Sequence, residues 1–151
     1  KLFIMRDSAI GTYGVLALIF TLVTRILALG TLASGELVMA ALVSASALSR
    51  AVMPVVMYQL KPAQSDGVGA TAGRPDRETV IWALAIAALV VLVTSGLQAL
   101  LASIILVAVI TWAAVKLAYS QIGGYTGDVV GGVGQIVEIT ALIVFVSIFA
   151  S

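Results

Sequence analysis

Two stretches hold most of the residues able to do chemistry. One is Arg6-Asp7-Ser8 with Gly11-Thr12-Tyr13-Gly14, just ahead of an apolar run. The other is Gly123-Gly124-Tyr125-Thr126-Gly127-Asp128, ahead of the last apolar run, with Gly131, Gln135 and Glu138 inside it. A chain entering a helix at such places offers free N–H groups and the positive end of the helix dipole, which suits phosphate. Arg6 has the planar fork that clamps two phosphate oxygens, and Asp7 could hold a divalent cation bridging them. Gly123, Gly124 and Gly127 let the backbone approach a ligand closely. Each feature also has a plainer reading. Asp7, Ser8, Thr126 or Asp128 can serve as helix caps, and Gly127, Gly131 and Gly134 as small residues for tight helix packing.

Gly131, Gln135 and Glu138 share one helix face, with Asp128 about 60° to its side. At about 1.5 Å of rise per residue, Asp128 and Glu138 stand roughly 15 Å apart and cannot clasp one ion together. They must do different jobs. Arg50 lies ten residues from Leu60, and Glu138 ten from Asp128. Ionisable groups in hydrocarbon turn inward and seek partners, so matched depth predicts an Arg50–Glu138 ion pair, either in a functional site or merely locking two helices. Pro54 removes a backbone hydrogen bond to the carbonyl of Arg50, which predicts a kink beside that arginine. Arg25 lies nearer the far side and reads as a snorkelling side chain. Asp66-Gly67-Val68-Gly69 reads as a turn.

The elements that must position these residues are membrane spans. The chain has 151 residues, 62% hydrophobic and 10% charged, with a mean hydropathy of +1.19. That is the composition of an integral membrane protein, and a net charge of +1 leaves no footprint for nucleic acid. Cys and His are both absent. Thiol and imidazole catalysis, Cys/His zinc sites and disulfides are thereby excluded. Chemistry must run on carboxylates, cationic side chains, hydroxyls and a bound cation.

The apolar runs give an all-α, polytopic membrane bundle of five predicted spans in a single domain, 1–151. They are Tyr13 to Leu29, Leu37 to Leu60, Thr79 to Thr94, Leu97 to Val115, and Asp128 to about Ala150. Thr79 to Val115 carries no charge and is too long for one crossing of about 20 residues, so Ser95-Gly96 is placed as a hairpin. Lys61 to Glu78 is a polar loop, and Ala118 to Gly127 a second one. Lys1 and Arg6 before an apolar run match the start of a signal peptide, but Arg25 and the four later spans argue against one. Lys1, Arg6, Lys61, Arg74, Arg77 and Lys116 fall on one side, and the opposite turns and C-terminus carry no Lys or Arg. The first side is therefore read as cytoplasmic, and both chemical stretches open there.

Arg6-Asp7-Ser8-Ala9-Ile10-Gly11-Thr12-Tyr13-Gly14 resembles the R/K-D-S-x-x-G-x-Y-G motif of the cobalamin synthase (adenosylcobinamide-GDP ribazoletransferase) family. Gly123-Gly124-Tyr125-Thr126-Gly127-Asp128-Val129-Val130-Gly131 resembles its G-G-x-T-G-D-x-x-G segment, with Glu138, Arg50 and Asp66-Gly67-Val68-Gly69 in matching order. The family carries an Asp- and Gly-rich segment and further helices upstream, so this chain, which starts at Lys1 rather than Met, resembles the C-terminal part of a longer enzyme. The resemblance implies a Mg2+-dependent reaction at the bacterial inner membrane, with the C-terminus on the opposite side. A hydroxyl of α-ribazole, or of its 5′-phosphate, attacks the corrinoid-bearing phosphate of adenosylcobinamide-GDP and GMP leaves.

Under that resemblance Asp7 and Asp128 bind metal or activate the hydroxyl. Arg6, Ser8, Gly11, Thr12, Gly14, Gly124, Thr126 and Gly127 contact the diphosphate, and Arg50 and Glu138 form the pocket floor, Glu138 joining the catalytic set. The expected partners are the corrinoid nucleotide, α-ribazole and the lipid bilayer, with a homo-oligomer left open. Phosphoryl transfer suits these residue types because it needs cationic clamps more than a nucleophilic side chain. The alternatives are a transporter subunit whose midplane site combines Arg50, Glu138 and the Pro54 break, and a non-catalytic membrane scaffold.

Overall fold

The structure is a computed structural model that describes residues 11–63 and 73–149. Arg6, Asp7, Ser8 and the Asp66–Gly69 turn lie outside the described residues. Four helices follow one another: α1 (Thr12–Gly30), α2 (Gly35–Gln59), α3 (Arg77–Ile122) and α4 (Gly127–Phe149). All four are long and apolar enough to cross a membrane. The protein is a polytopic membrane bundle, as its composition predicts, with four helices where five were expected.

The difference lies in α3, an element of 46 residues in which two helical stretches meet at a non-helical Gly96 (φ 83°, ψ 178°). Only glycine adopts that backbone region readily. Run straight, the element would be about 69 Å long, more than twice the hydrocarbon thickness of about 30 Å. Instead it doubles back. Leu84 and Trp112, 28 residues apart in α3, line one cavity together with Gln59 of α2. The two limbs, 77–95 and 97–122, therefore stand beside one another where the sequence predicts two spans and a hairpin.

The second limb also runs past Lys116, where the sequence predicts a loop from Ala118. Ala118 is buried, and the helix stops only at Gly123, which takes the left-handed conformation (φ 71°) and donates its N–H to the Tyr119 carbonyl (3.0 Å). The loop thus shrinks to residues 123–126. At the other end of α3, Asp76 caps the helix, its carboxylate accepting from the Thr79 N–H at 2.7 Å. The Thr79 hydroxyl, together with this N–H, holds the Asp76 carboxyl below its ordinary value.

α2 is the central post, continuous through Pro54. It buries Ala41, Ser44, Ala45, Leu48, Ser49, Ala51, Val52 and Val56, mostly small residues that let neighbouring backbones come close. α4 answers with a stripe at i, i+3, i+4, i+7, i+8 and i+11: Val130, Val133, Gly134, Val137, Glu138 and Ala141. A Cβ on Gly134 would stand 2.7 Å from Cε of Met53 and 3.2 Å from Oγ of Ser49, so the glycine permits the α2–α4 crossing. At the far end Ser44 shares hydrogen bonds with Thr94 (2.6 Å) and Ser95 (2.8 Å), tying α2 to the bend in α3. α1 buries no residue and packs on α4.

Candidate functional site

The 123–126 loop is held by backbone pairing with the end of α2. The Tyr125 N–H donates to the Lys61 carbonyl (2.9 Å), and the Tyr125 carbonyl accepts from the Ala63 N–H (2.8 Å). The Tyr125 ring is buried, and its hydroxyl donates to the Gly73 carbonyl (3.3 Å). A Cβ on Gly124 would collide with the Lys61 carbonyl oxygen. Close approach is thus required at Gly124, but to the protein's own backbone. The Thr126 hydroxyl accepts from the Val129 N–H (3.4 Å), so Thr126 acts as the N-cap of α4.

Gly127 differs from Gly124. Nothing lies within 4 Å of the Cβ it lacks, so no neighbour in the described chain demands a glycine there. Asp128, in the first turn of α4, is exposed. Among the described residues it forms no ion pair, and a carboxylate there is favoured by the helix dipole. Arg74, by contrast, is engaged: its Nε donates to the Tyr58 carbonyl (2.9 Å) near the end of α2, and its guanidinium lies 5.0 Å from the Tyr58 ring centre.

The predicted Arg50–Glu138 pair does not form. Glu138 Oε1 is 3.2 Å from Nη2 of Arg25, which also donates to Gln135 Oε1 at 3.3 Å. Arg50 is exposed and forms no ion pair among the described residues. Counting residues matched the depth of Arg50 but not its direction. Ser49 and Met53 face Gly134 on α4, and Arg50, one residue on from Ser49, is turned about 100° away. Arg25 has both coordinates right. It lies 13 residues into α1 and Glu138 lies 11 into α4, on helices entering from the same end. Glu138, mostly buried in this pair, holds α1 to α4 about 15 Å below the mouth and is not a mouth residue.

The same pairings fix what shares the mouth. The end of α2 lies against Tyr125, and α1 and α2 are joined by a short turn at the opposite end. Gly11, Thr12 and Gly14 at the start of α1 are therefore at the Asp128 end of the bundle, all exposed. Gly11 makes no side-chain cap, and its carbonyl accepts from the N–H groups of Gly14 (2.8 Å) and Val15 (3.1 Å).

A magnesium ion binds through one or two carboxylates plus substrate phosphates and keeps several waters. Exposed Asp128 beside the open backbone at Gly127 fits that habit. Among the described residues no group of three or more acidic side chains could cage a metal.

Comparison with known proteins decides the family. The family profile for cobalamin-5-phosphate synthase covers residues 1–146. The chain belongs to the cobalamin-5-phosphate synthase family. Relatives named adenosylcobinamide-GDP ribazoletransferase include those of Bradyrhizobium diazoefficiens and Mesorhizobium japonicum, each 42% identical over 144 residues. Those matches cover 95% of this chain and 55% of the relative. The Rhizobium johnstonii relative is 39% identical over 149 residues, covering 94% of this chain and 57% of its own. The chain thus spans about half the length of these relatives. No solved structure matches it. Within this family member, sequence reasoning missed the roles of Arg25 and Tyr125. An arginine inside an apolar span was a legible signal for the first, but nothing local marks Tyr125 as the anchor of the mouth.

Proposed function

We propose that this chain forms the C-terminal membrane part of an adenosylcobinamide-GDP ribazoletransferase working at the cytoplasmic face of the bacterial inner membrane. The hydroxyl oxygen of α-ribazole, or of its 5′-phosphate, forms a bond to the corrinoid-side phosphorus. The bond from that phosphorus to the bridging oxygen breaks, GMP leaves with the oxygen, and the hydroxyl proton is lost. Family membership supports this reading over a transporter subunit or a scaffold. The observation that carries it is the placing of Asp128, exposed and without an ion-pair partner among the described residues, at the same end of the bundle as the start of α1.

In this reading Asp128 and Asp7 hold magnesium or take the hydroxyl proton. Bound magnesium would neutralise charge developing on the phosphate oxygens. Arg6, Ser8 and Thr12 face the diphosphate with the free N–H groups at the start of α1, and Gly127 leaves room for substrate against the first turn of α4. Gly124 and Thr126 support the site by shaping the loop. Arg25 and Glu138 set the depth at which α1 meets α4 and so act as positioning residues.

The test uses the full-length protein in inner-membrane vesicles with its cytoplasmic face outward. GMP release should require adenosylcobinamide-GDP, α-ribazole and Mg2+ together. Release without α-ribazole would make the protein a hydrolase and overturn the reading.

A further inference from the structure

An unexplained feature lies away from the mouth loop. A cavity of about 500 Å³ runs between α2 and the two limbs of α3. Along α2 its lining extends from Leu48 to Gln59, and along the second limb of α3 from Leu100 to Trp112, roughly 16–18 Å in each case. It is therefore long and narrow, and its wall is almost wholly apolar. Inside it Thr111 is buried, 5% exposed, with no hydrogen-bond partner for its hydroxyl. Gln59 and Trp112 also line a second, open cavity of about 710 Å³ that includes Lys116 and Ser120, so the two adjoin.

Lys116 makes this more than a greasy cleft. A side chain on a helix leans toward the helix start, and here that direction points into the bilayer. Its Nζ lies over the Trp112 ring, 4.5 Å from the centre, and no carboxylate pairs with it among the described residues. A lysine near a membrane surface would ordinarily reach outward to water. This one is instead folded back onto the Trp112 ring.

We propose that one anionic glycerophospholipid occupies this seat, with an acyl chain in the cavity, an ester carbonyl accepting from the Thr111 hydroxyl, and its phosphate on Lys116. Thr111 and Lys116 are five residues apart, about 7.5 Å along the helix and about 140° around it, so the hydroxyl lies on the tail side of the ammonium and the lipid must pass Trp112, which lines both cavities. Shape, the buried hydroxyl and the positive charge all select the same molecule. The seat is separate from the mouth residues and does not depend on the proposed reaction.

Native mass spectrometry of the delipidated full-length protein tests this, with phosphatidylglycerol and phosphatidylcholine of identical chains as probes. One phosphatidylglycerol per protomer should bind preferentially. Lys116→Gln should reduce that preference about fivefold, the factor for one lysine at an anionic surface. Ala108→Phe should fill the cavity and expel both lipids. Thr111→Val, nearly the same shape, should weaken ester-linked phosphatidylglycerol while leaving its ether-linked analogue unchanged. Equal binding of the two headgroups, or an Ala108→Phe protein that still retains the lipid, would overturn the proposal.

Discussion

Arg25 on α1 and Glu138 on α4 meet at 3.2 Å inside the apolar bundle, and this pair sets the depth at which α1 lies against α4. Few other contacts hold α1, which has no buried residue of its own. Breaking the pair should therefore loosen α1 selectively. Arg25→Leu and Glu138→Leu should each destabilise the protein, and the double variant should recover part of the loss, a coupling on the order of 1 kcal/mol for a polar contact within a membrane. Thermal unfolding in mild detergent measures it. Arg50→Leu should show no coupling to Glu138→Leu, and a coupling as large as that of Arg25 would mean the pairing is wrong.

Gly124 and Gly127 separate packing from ligand access. A methyl at Gly124 meets the Lys61 carbonyl, so Gly124→Ala should force the loop from the end of α2 and cost about 2 kcal/mol, in the range for overpacking. A methyl at Gly127 meets nothing within 4 Å. Gly127→Ala should leave stability nearly unchanged while raising the KM for adenosylcobinamide-GDP. The measurements are unfolding temperature and steady-state GMP release, and an unchanged KM would remove Gly127 from the site.

How much of this was legible follows from what a sequence pattern contains. Hydropathy and charge located the apolar runs, because length in hydrocarbon is a one-dimensional property. The doubling-back of α3 was readable at Ser95-Gly96 for the same reason: a long uncharged stretch must fold, and glycine marks the place. Depth was readable only in part: Arg50 and Glu138 were matched by counting, but Arg25, read as lying nearer the far side, meets Glu138 at 3.2 Å. Azimuth was not, because it depends on which face of α2 meets α4, a choice made by Gly134, Ser49 and Met53 together. Likewise Gly123 and Gly124 look alike in sequence. One ends α3 with a positive φ, and the other makes room for the Lys61 carbonyl.

Gly96 should be the least replaceable position in α3. Its backbone (φ 83°, ψ 178°) lies where a Cβ is strained even with no neighbour nearby, so Gly96→Ala should cost about 1–3 kcal/mol. The variant pulls the bend from Ser44 of α2, which bonds to Thr94 and Ser95. A cysteine pair across the two limbs, introduced at Leu84 and Ala108, should cross-link less efficiently in Gly96→Ala than in the parent. Equal cross-linking would show that the bend tolerates a side chain.

Acid should fray the start of α3 before it reaches the bundle. Asp76 is held below its ordinary value of 3.8 by its bond with Thr79. A carboxyl with a depressed folded pKa contributes stability that is complete above the unfolded value and lost as pH falls through the folded one. The protection factor of the Thr79 amide, its exchange rate corrected for the intrinsic pH dependence, should thus be flat above about pH 4 and fall below it. Asp76→Asn, which can still cap, should abolish the pH dependence and keep the protection.

Asp128 gives the sharpest test of the mouth. Glu138, ten residues on, is tied to Arg25, and Thr126, two residues before, caps the helix, so each supports structure. Asp128 has no such task visible among the described residues beyond lying in a favourable dipole. Asp128→Asn removes the charge at almost constant shape. Unfolding should shift by no more than about 1 kcal/mol, the size of a dipole contribution. GMP release by the full-length protein should fall about 100-fold or more, the scale of losing one preorganised electrostatic group. If Asp128 holds magnesium, the concentration of Mg2+ needed for half-maximal rate should also rise in Asp128→Asn. A large loss of stability with parallel loss of activity would instead make the carboxylate a structural cap.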